Sequence, residues 1–369
     1  MNRRIVTFVS LALLAVMAIG QMFTAERWFS DLENRYLETM PEVDAESISS
    51  GVWMDQLETY LADHVPGRDE WVQLKNSVVR LSGREQIGKV VFAEGDRLIQ
   101  VENVSLKQLE KNLGFMASLA KKLPEDVEMN LLVAPNASWV YRASLPEDTL
   151  MYEPEEATAM IWEMLGDEIS VTIPIEALYS HRDEAIYFKS DHHWTMRGAA
   201  YAYEELADAM GILADPFSYE AVTMGHDFLG SVYSQAPVYN FEGEDFEVFQ
   251  VPGLKLQWSS GDKSGSVFMQ EKLQEKDQYA AFFGGNYGLV RIQNENARSS
   301  EKLLILKDSY ANILVPFLLE EYSEIVMVDL RFFSGSVSSL AVEEAADRVL
   351  AVYNLDFLCT DGNLAWMGV

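Results

Sequence analysis

The chain is short of cysteine, histidine and basic residues, and each shortage excludes something. One cysteine in 369 residues, Cys359, rules out an intramolecular disulfide, so stability has to come from packing. Cys359 follows the apolar run 355–358 and reads as part of a buried strand, which argues against a thiol nucleophile. Lys and Arg number 28 against 58 acidic residues, a formal charge of −30 that repels a phosphate backbone and removes nucleic acid as a partner. Internal repeats and low-complexity tracts are missing too. With 49% hydrophobic and 11% aromatic residues, the chain has enough apolar surface for one large core or two modest ones, which excludes general disorder.

One long apolar run is present. Asn2-Arg3-Arg4 precedes residues 5–23, interrupted only by Thr7, Ser10, Gly20 and Gln21. As a helix this run spans about 28 Å, close to one hydrocarbon core. The arginines favour a cytoplasmic N-terminus. Residues 1–25 are therefore expected to form a signal anchor, a transmembrane helix that leaves the remainder extracytoplasmic. Ala18-Ile19-Gly20 supplies the small residues of the alternative, a cleaved signal peptide and a secreted chain.

Residues 26–100 read as a membrane-proximal segment. Helical spacing over 51–81 is broken at Asp63-His64-Val65-Pro66-Gly67, and a β-hairpin follows in which 88–92 and 97–99 bracket Glu94-Gly95-Asp96. Over 101–215 the pattern alternates: helix 106–123, strand 127–133 ending at Ala134-Pro135-Asn136, strand 169–175, helix 197–210. Residues 299–369 resume it, with strand 303–306 running into Lys307-Asp308-Ser309-Tyr310, then helix 311–321, strand 324–330, helix 341–353 and strand 355–359. This succession predicts an α/β fold built on a doubly wound parallel sheet. Between the two parts, 216–298 carries short β-like pieces at 246–251 and 254–258 separated by glycine and charge clusters. It is expected to be an inserted β-rich lobe of the kind that carries substrate-selecting loops.

Of only five histidines, two are adjacent, in Ser190-Asp191-His192-His193-Trp194-Thr195. Imidazole titrates near neutrality and a neighbouring carboxylate orients it, so this stretch reads as a general base with its orienting acid. Packing and hydrogen bonding at a strand end account for the same residues in the alternative reading. In extended backbone, residues two apart share a side, so Asp191 and His193 can cooperate while His192 faces away; a helical or tightly turned loop leaves the choice between the two histidines open. The nucleophile has to come from elsewhere. Reactive groups in open α/β sheets collect outside the carboxyl ends of strands, where Ser309 occupies a strand-to-helix turn. A plain helix-capping role for Asp308 or Ser309 fits that position equally.

Lys307-Asp308-Ser309-Tyr310-Ala311-Asn312 together with the Asp191 stretch resembles the DHHW family of exported bacterial proteins. Val133-Ala134-Pro135-Asn136, Phe283-Gly284-Gly285-Asn286, Glu33-Asn34-Arg35 and Pro41 extend the resemblance over nearly the whole chain. That family is in turn similar to SGNH-hydrolase-like acetyltransferases that modify alginate, in which an Asp-x-His-Trp motif comes first and the serine far downstream. The resemblance implies an SGNH-like fold with permuted motif order, Asp191 as orienting acid, His193 as base and Ser309 as nucleophile. It implies no cofactor and no metal. It also implies an acetyl donor that arrives through a polytopic membrane O-acyltransferase partner, and a glycan or envelope polymer as acceptor.

The chemistry expected is two-step acyl transfer through an acyl-enzyme. Oxyanion donors are expected among the N–H groups of Ser309 and Tyr310, with Gly285, Asn286 or Asn312 supplying another. His192 is expected to support the site or touch substrate, and Trp194 to pack beneath the loop. A carbohydrate esterase that ends with water, or a non-catalytic polysaccharide-binding or assembly protein on this fold, are the alternatives. A DHH-type phosphoesterase needs further clusters for a manganese pair, and His64, His181 and His226 show no such spacing. Without a dense Lys or Arg cluster, a neutral or amino-sugar glycan is favoured over a uronate polymer.

Overall fold

The computed structural model of the chain describes residues 3–21, 23, 26–251, 256–261 and 263–368. Its largest feature is an eight-stranded sheet. In chain order the strands are β1 Glu128–Ala134, β2 Ser170–Thr172, β3 Leu256–Ser260, β4 Lys263–Gly265, β5 Leu289–Asn294, β6 Lys302–Lys307, β7 Glu324–Val328 and β8 Arg348–Asn354, and across the sheet they run β4-β3-β5-β7-β6-β8-β1-β2. The five from β7 to β2 are mutually parallel, while β5 runs antiparallel to β7 and β3 antiparallel to β5 and β4. Six helices matter for the site: α1 Lys107–Ala120, α2 Pro154–Leu165, α3 Met196–Met210, α4 Ala311–Leu318, α5 Val337–Glu343 and α6 Leu355–Thr360.

The two faces of the sheet are buried separately, which is why its central strands read as continuous apolar runs. Along β6, Leu303 and Ile305 enter a core with residues of α3 and α4, while Leu304 and Leu306 enter a second core with residues of α1, α2, α5 and α6. The fold is mixed α/β with helices on both faces of a parallel-rich sheet.

Two C-terminal expectations exchange places. The stretch 341–353, expected helical, is the end of α5 followed by strand β8, and 355–359, expected as strand, is α6. Strand β8 is buried on both faces from Val349 onward, so no period of two appears in its sequence to separate it from a buried helix. Asn354 then caps α6 by accepting the Phe357 N–H at 3.0 Å. Cys359 is buried as expected, but on this helix.

The segment expected as an inserted lobe is only partly separate. Glu220–Phe228 and Glu244–Gln250 form their own antiparallel pair, but β3, β4 and β5 extend the central sheet. Strand β5 buries Val290, Ile292 and Asn294 alternately and so pairs with β7 as a half-buried strand.

The chain divides into two compact units, Met1–Gly88 with Tyr233–Phe241 and Lys89–Val232 with Glu242–Val369; the sheet belongs to the second. In the first, helices Val52–Asp63 and Arg68–Leu81 flank the expected break, and the Glu33-Asn34-Arg35 motif is tied to them. Arg35 donates to both oxygens of Asp63, at 3.0 and 2.5 Å, and Arg68 reaches Glu33 at 2.5 Å. Arg3–Gln21 is helical, but among the described residues no helix is long and apolar enough to cross a membrane. The transmembrane anchor expected over 1–25 is therefore not supported.

Candidate functional site

The loop after Phe188 is turned rather than extended. Tyr187 and Trp194 face each other in an isolated antiparallel bridge, and the Phe188 N–H donates to the His193 carbonyl at 3.2 Å, so the residues between close into a tight loop. Asp191 sets that turn by accepting the His193 backbone N–H on Oδ1 at 3.0 Å, as Asp does when it initiates a local turn. The same oxygen lies 2.5 Å from His193 Nδ1, and His193 Nε2 lies 2.7 Å from Ser309 Oγ. Asp191, His193 and Ser309 thus form one hydrogen-bonded chain across 118 positions of sequence. The pairing arises from a turn and not from strand alternation, so His192 is not turned away. Its ring sits 3.8 Å from that of His193, centroid to centroid, and its Nδ1 is 2.7 Å from Ser231 Oγ.

Asp191 is held from several sides. Its Oδ2 accepts the Ser231 N–H at 2.7 Å, and a Cβ on neighbouring Gly230 would lie 2.4 Å from that same oxygen. The Glu244 carboxylate accepts the N–H groups of Lys189 and Ser190 at 2.7 and 3.0 Å, fixing the backbone that leads into the turn. Burial alone pushes the Asp191 carboxyl up, but the imidazoles of His193 and His192 and the Ser231 N–H outweigh it and hold the group well below the usual carboxylate range. An ionised Asp191 requires the proton on His193 Nδ1, which leaves the Nε2 lone pair to accept the Ser309 hydroxyl.

His193 is clamped flat. The Tyr279 ring stacks on it with centroids 3.7 Å apart and planes 5° from parallel, and the Tyr279 hydroxyl donates to the Ser309 carbonyl at 2.7 Å. Trp194 is fully buried, and its indole N–H donates to the Tyr310 carbonyl at 3.1 Å. The Tyr310 hydroxyl returns to the His192 carbonyl, so the two halves of the site are tied by backbone as well as by the imidazole.

Ser309 stands just past β6, at the carboxyl end of the parallel strands. No side chain caps α4, because Asp308 is engaged elsewhere: Oδ1 accepts the Tyr310 N–H at 2.8 Å and Oδ2 accepts both the N–H and the side-chain amide of Asn354, at 2.7 and 2.6 Å. This settles which of the expected oxyanion donors are free. Tyr310 N–H is committed to Asp308, Gly285 N–H to the Phe282 carbonyl at 3.3 Å, and one of the two Asn312 amide hydrogens to Asn286 Oδ1 at 3.1 Å. Among the described residues the Ser309 N–H and the Asn286 amide nitrogen have no acceptor.

Lys307, fully buried, orients both asparagines. Its Nζ donates to Asn286 Oδ1 and Asn312 Oδ1, each at 2.8 Å, with Asp329 at 3.5 Å. Burial pulls the Lys307 ammonium down to about 8. Asp191, His192 and His193 are also the group among the described residues with three ligand atoms within 4.8 Å, a spacing at which a metal could be held. Two of those residues direct such atoms at each other.

Sequence reasoning missed Gly230, Ser231, Glu244 and Tyr279, all from the segment expected as a lobe. No local motif marks them, because each acts through contacts with residues 30 to 86 positions away.

The DHHW protein family model matches residues 156–328, a span that contains Asp191, His193 and Ser309. No curated protein matches. Among solved structures, a DHHW family protein from Eubacterium siraeum is 22% identical and superposes with a TM-score of 0.64 over 75% of this chain and 93% of its own. Bacillus cereus PatB1, solved with a sulfonyl adduct, is 19% identical, with a TM-score of 0.65 over 76% of this chain and 99% of its own. The O-acetyltransferase domain of Pseudomonas putida AlgJ is 12% identical with a TM-score of 0.46 over 76% and 98%, too remote to inform the site. Identities this low speak to fold alone. The resemblance to the DHHW family is borne out.

Proposed function

Because the chain carries a DHHW domain, we propose that it is an exported O-acyltransferase that moves an acetyl group onto a hydroxyl of an extracellular glycan or envelope polymer. The observation that carries this reading is the Asp191–His193–Ser309 chain at the carboxyl edge of the sheet, with both hydrogen bonds formed. Ser309 Oγ attacks the donor carbonyl while His193 Nε2 takes its proton. The oxyanion is met by the Ser309 N–H and the Asn286 amide, and the leaving group departs with the proton from His193. A sugar hydroxyl then attacks the acyl-serine, its proton passing to His193 and on to Ser309 Oγ as the ester bond breaks. Tyr279 and Asp191 hold the imidazole through both steps. The acetyl donor is proposed to be supplied by a polytopic membrane O-acyltransferase.

The test uses p-nitrophenyl acetate with the purified chain. Mass spectrometry is expected to find one acetyl group on Ser309, and Ser309→Ala is expected to lose both the adduct and nitrophenol release above background. Phenylmethanesulfonyl fluoride is expected to label the same serine. Equal release by the two proteins sinks the proposal. An acetylated sugar rather than free acetate as product separates transfer from hydrolysis. Export is tested by protease treatment of intact cells, with N-terminal sequencing to show whether the chain is cut near Gly20.

A further inference from the structure

Lys307 is the last residue of β6, two positions before Ser309, and it is buried. Its ammonium has three N–H donors and no acceptor. Each donor faces an acceptor: Asn286 Oδ1 and Asn312 Oδ1 at 2.8 Å, and Asp329 Oδ2 at 3.5 Å. The charged groups that act on it are Asp329 just past β7, Arg331, which pairs with Asp329 at 2.6 Å, and Asp308 next along the chain. Burial lowers Lys307 to about 8 against an ordinary 10.5, so holding the charge here works against stability. A position that needed only packing would carry an apolar residue, as 303–306 do.

The charge decides which way two amides face. An asparagine presents an accepting oxygen and a donating nitrogen of nearly the same shape, and its neighbours select between them. Because an ammonium cannot accept, Asn286 and Asn312 both have to turn their oxygens to Lys307. Asn312 then gives an amide hydrogen to Asn286 Oδ1 at 3.1 Å, which holds that oxygen from a second side. The Asn286 nitrogen is left facing away from Lys307, with no acceptor among the described residues. The backbone N–H of Asn312 donates to the Ser309 carbonyl at 3.2 Å, so the amide pair is tied to the first turn after the nucleophile. A neutral amine has a lone pair that accepts from an amide N–H, and in that state the two ends of each asparagine are no longer distinguished.

We propose that Lys307 is a positioning residue whose charged form holds the Asn286 amide with its N–H groups to the oxyanion, so that acylation of Ser309 slows when Lys307 loses its proton. The inference rests on the acyl-enzyme reading with Asn286 as an oxyanion donor. Lys307 itself touches no reacting atom. The proton it loses goes to solvent, and the proton of the reaction still moves between Ser309 Oγ and His193 Nε2. Stability rises with pH over the window in which Lys307 titrates, because the unfolded chain binds more protons there. Activity and stability are therefore expected to move in opposite directions.

The experiment follows formation of acetyl-Ser309 from p-nitrophenyl acetate in the wild type, Asn286→Ala, Lys307→Met and the double variant, with rates normalised to the folded fraction. Asn286→Ala is expected to slow acylation about 10²-fold, the loss of one oxyanion donor. Lys307→Met is expected to slow it at least about tenfold, in the acylation rate constant and not in the half-saturating ester concentration. Added to Asn286→Ala, it is expected to cost no more than about threefold further, because its route is already gone; a residue that only supports packing would cost the same in both backgrounds. Wild-type acylation is expected to fall above about pH 8, and the fall is expected to be missing from Lys307→Met and from Asn286→Ala, the second of which leaves Lys307 unaltered. If no acyl-serine forms in the wild type, the acyl-enzyme reading fails and this inference with it. If it forms and Asn286→Ala acylates as fast as the wild type, the inference is overturned while the acyl-enzyme stands. Additive losses in the double variant, or a wild-type profile without an alkaline fall that depends on Asn286, remove Lys307 from this role.

Discussion

Replacing Gly230 by alanine tests the geometry of the dyad without removing any of its polar atoms. The added Cβ would lie 2.3 Å from Asp191 Cβ, 2.4 Å from Oδ2 and 2.7 Å from Cγ, where ordinary contact begins at 3.4 Å. Asp191 therefore has to retreat by about 1 Å. Its two stabilising contacts, Oδ1 to His193 Nδ1 at 2.5 Å and Oδ2 to the Ser231 N–H at 2.7 Å, have no slack for that: a retreat of ~1 Å takes both to the limit of hydrogen bonding. A misplacement of ~1 Å in a reacting constellation costs about 10²-fold in rate, and full loss of an orienting carboxylate about 10⁴-fold. The expected fall in p-nitrophenyl acetate turnover lies between these, roughly 3 to 5 kcal/mol of barrier. Overpacking also destabilises, by about 1 to 3 kcal/mol, so rates are normalised to the folded fraction from urea denaturation. Gly114→Ala is the control: it lies on exposed α1 surface with open space around the new methyl and is expected to raise stability by about 0.5 to 1 kcal/mol at unchanged activity. A folded Gly230→Ala protein within about threefold of wild-type turnover would refute the claim that Asp191 holds His193 in a working position.

Two other residues give independent checks. Lys307 has a folded pKa of about 8 against an ordinary 10.5, so the unfolded chain binds more protons between those values and stability rises with pH across that window. The burial penalty, on the order of 3 kcal/mol, is fully present below about pH 8 and relieved towards pH 10.5; Lys307→Met is expected to flatten the rise in urea denaturation at about pH 7.5 and about pH 10, and parallel curves for the two proteins would contradict the burial argument. Cys359 is buried on α6, and burial pushes its thiol up to about 12. Native protein is expected to react with an aromatic disulfide reagent only at the rate of unfolding, whereas labelling as fast as in urea would show the thiol to be accessible.

How much of this was legible in the sequence depends on the range over which each feature is encoded. Strands β1, β6 and β7 and helices α1, α3 and α4 were readable because each has its own period or its own apolar run with clear ends. The exchange of β8 and α6 was not, because a strand covered on both faces and a short buried helix look alike until the sheet is assembled. In the site, the residue types at 191, 193 and 309 announced acid, imidazole and hydroxyl, and the structure brings these three together. The local backbone was misread: strand alternation and the observed turn both bring positions two apart to one side, but only the turn also leaves the His192 ring beside that of His193. Glu33-Asn34-Arg35 was legible as a motif and opaque as to purpose, which is to anchor Asp63 and Arg68 in the first unit.

The expected division of labour between core and insertion is the part that changes most. An insertion was expected to select substrate while the core held the chemistry, yet residues from 216–298 hold the dyad itself. Gly230 leaves room for Asp191, Ser231 bonds its second oxygen and the His192 ring, Glu244 pins the backbone before it, and Tyr279 lies flat on His193 and bonds the Ser309 carbonyl. Asn286 adds the free amide whose oxygen Lys307 fixes. The parallel sheet supplies only Ser309 and the strand ends around it. A DHHW stretch on the same sheet without these partners would keep its acid, imidazole and hydroxyl but lose the contacts that set their distances. The spacing of Asp191 and His193 works because the intervening segment, with no motif of its own, builds the other half of the site.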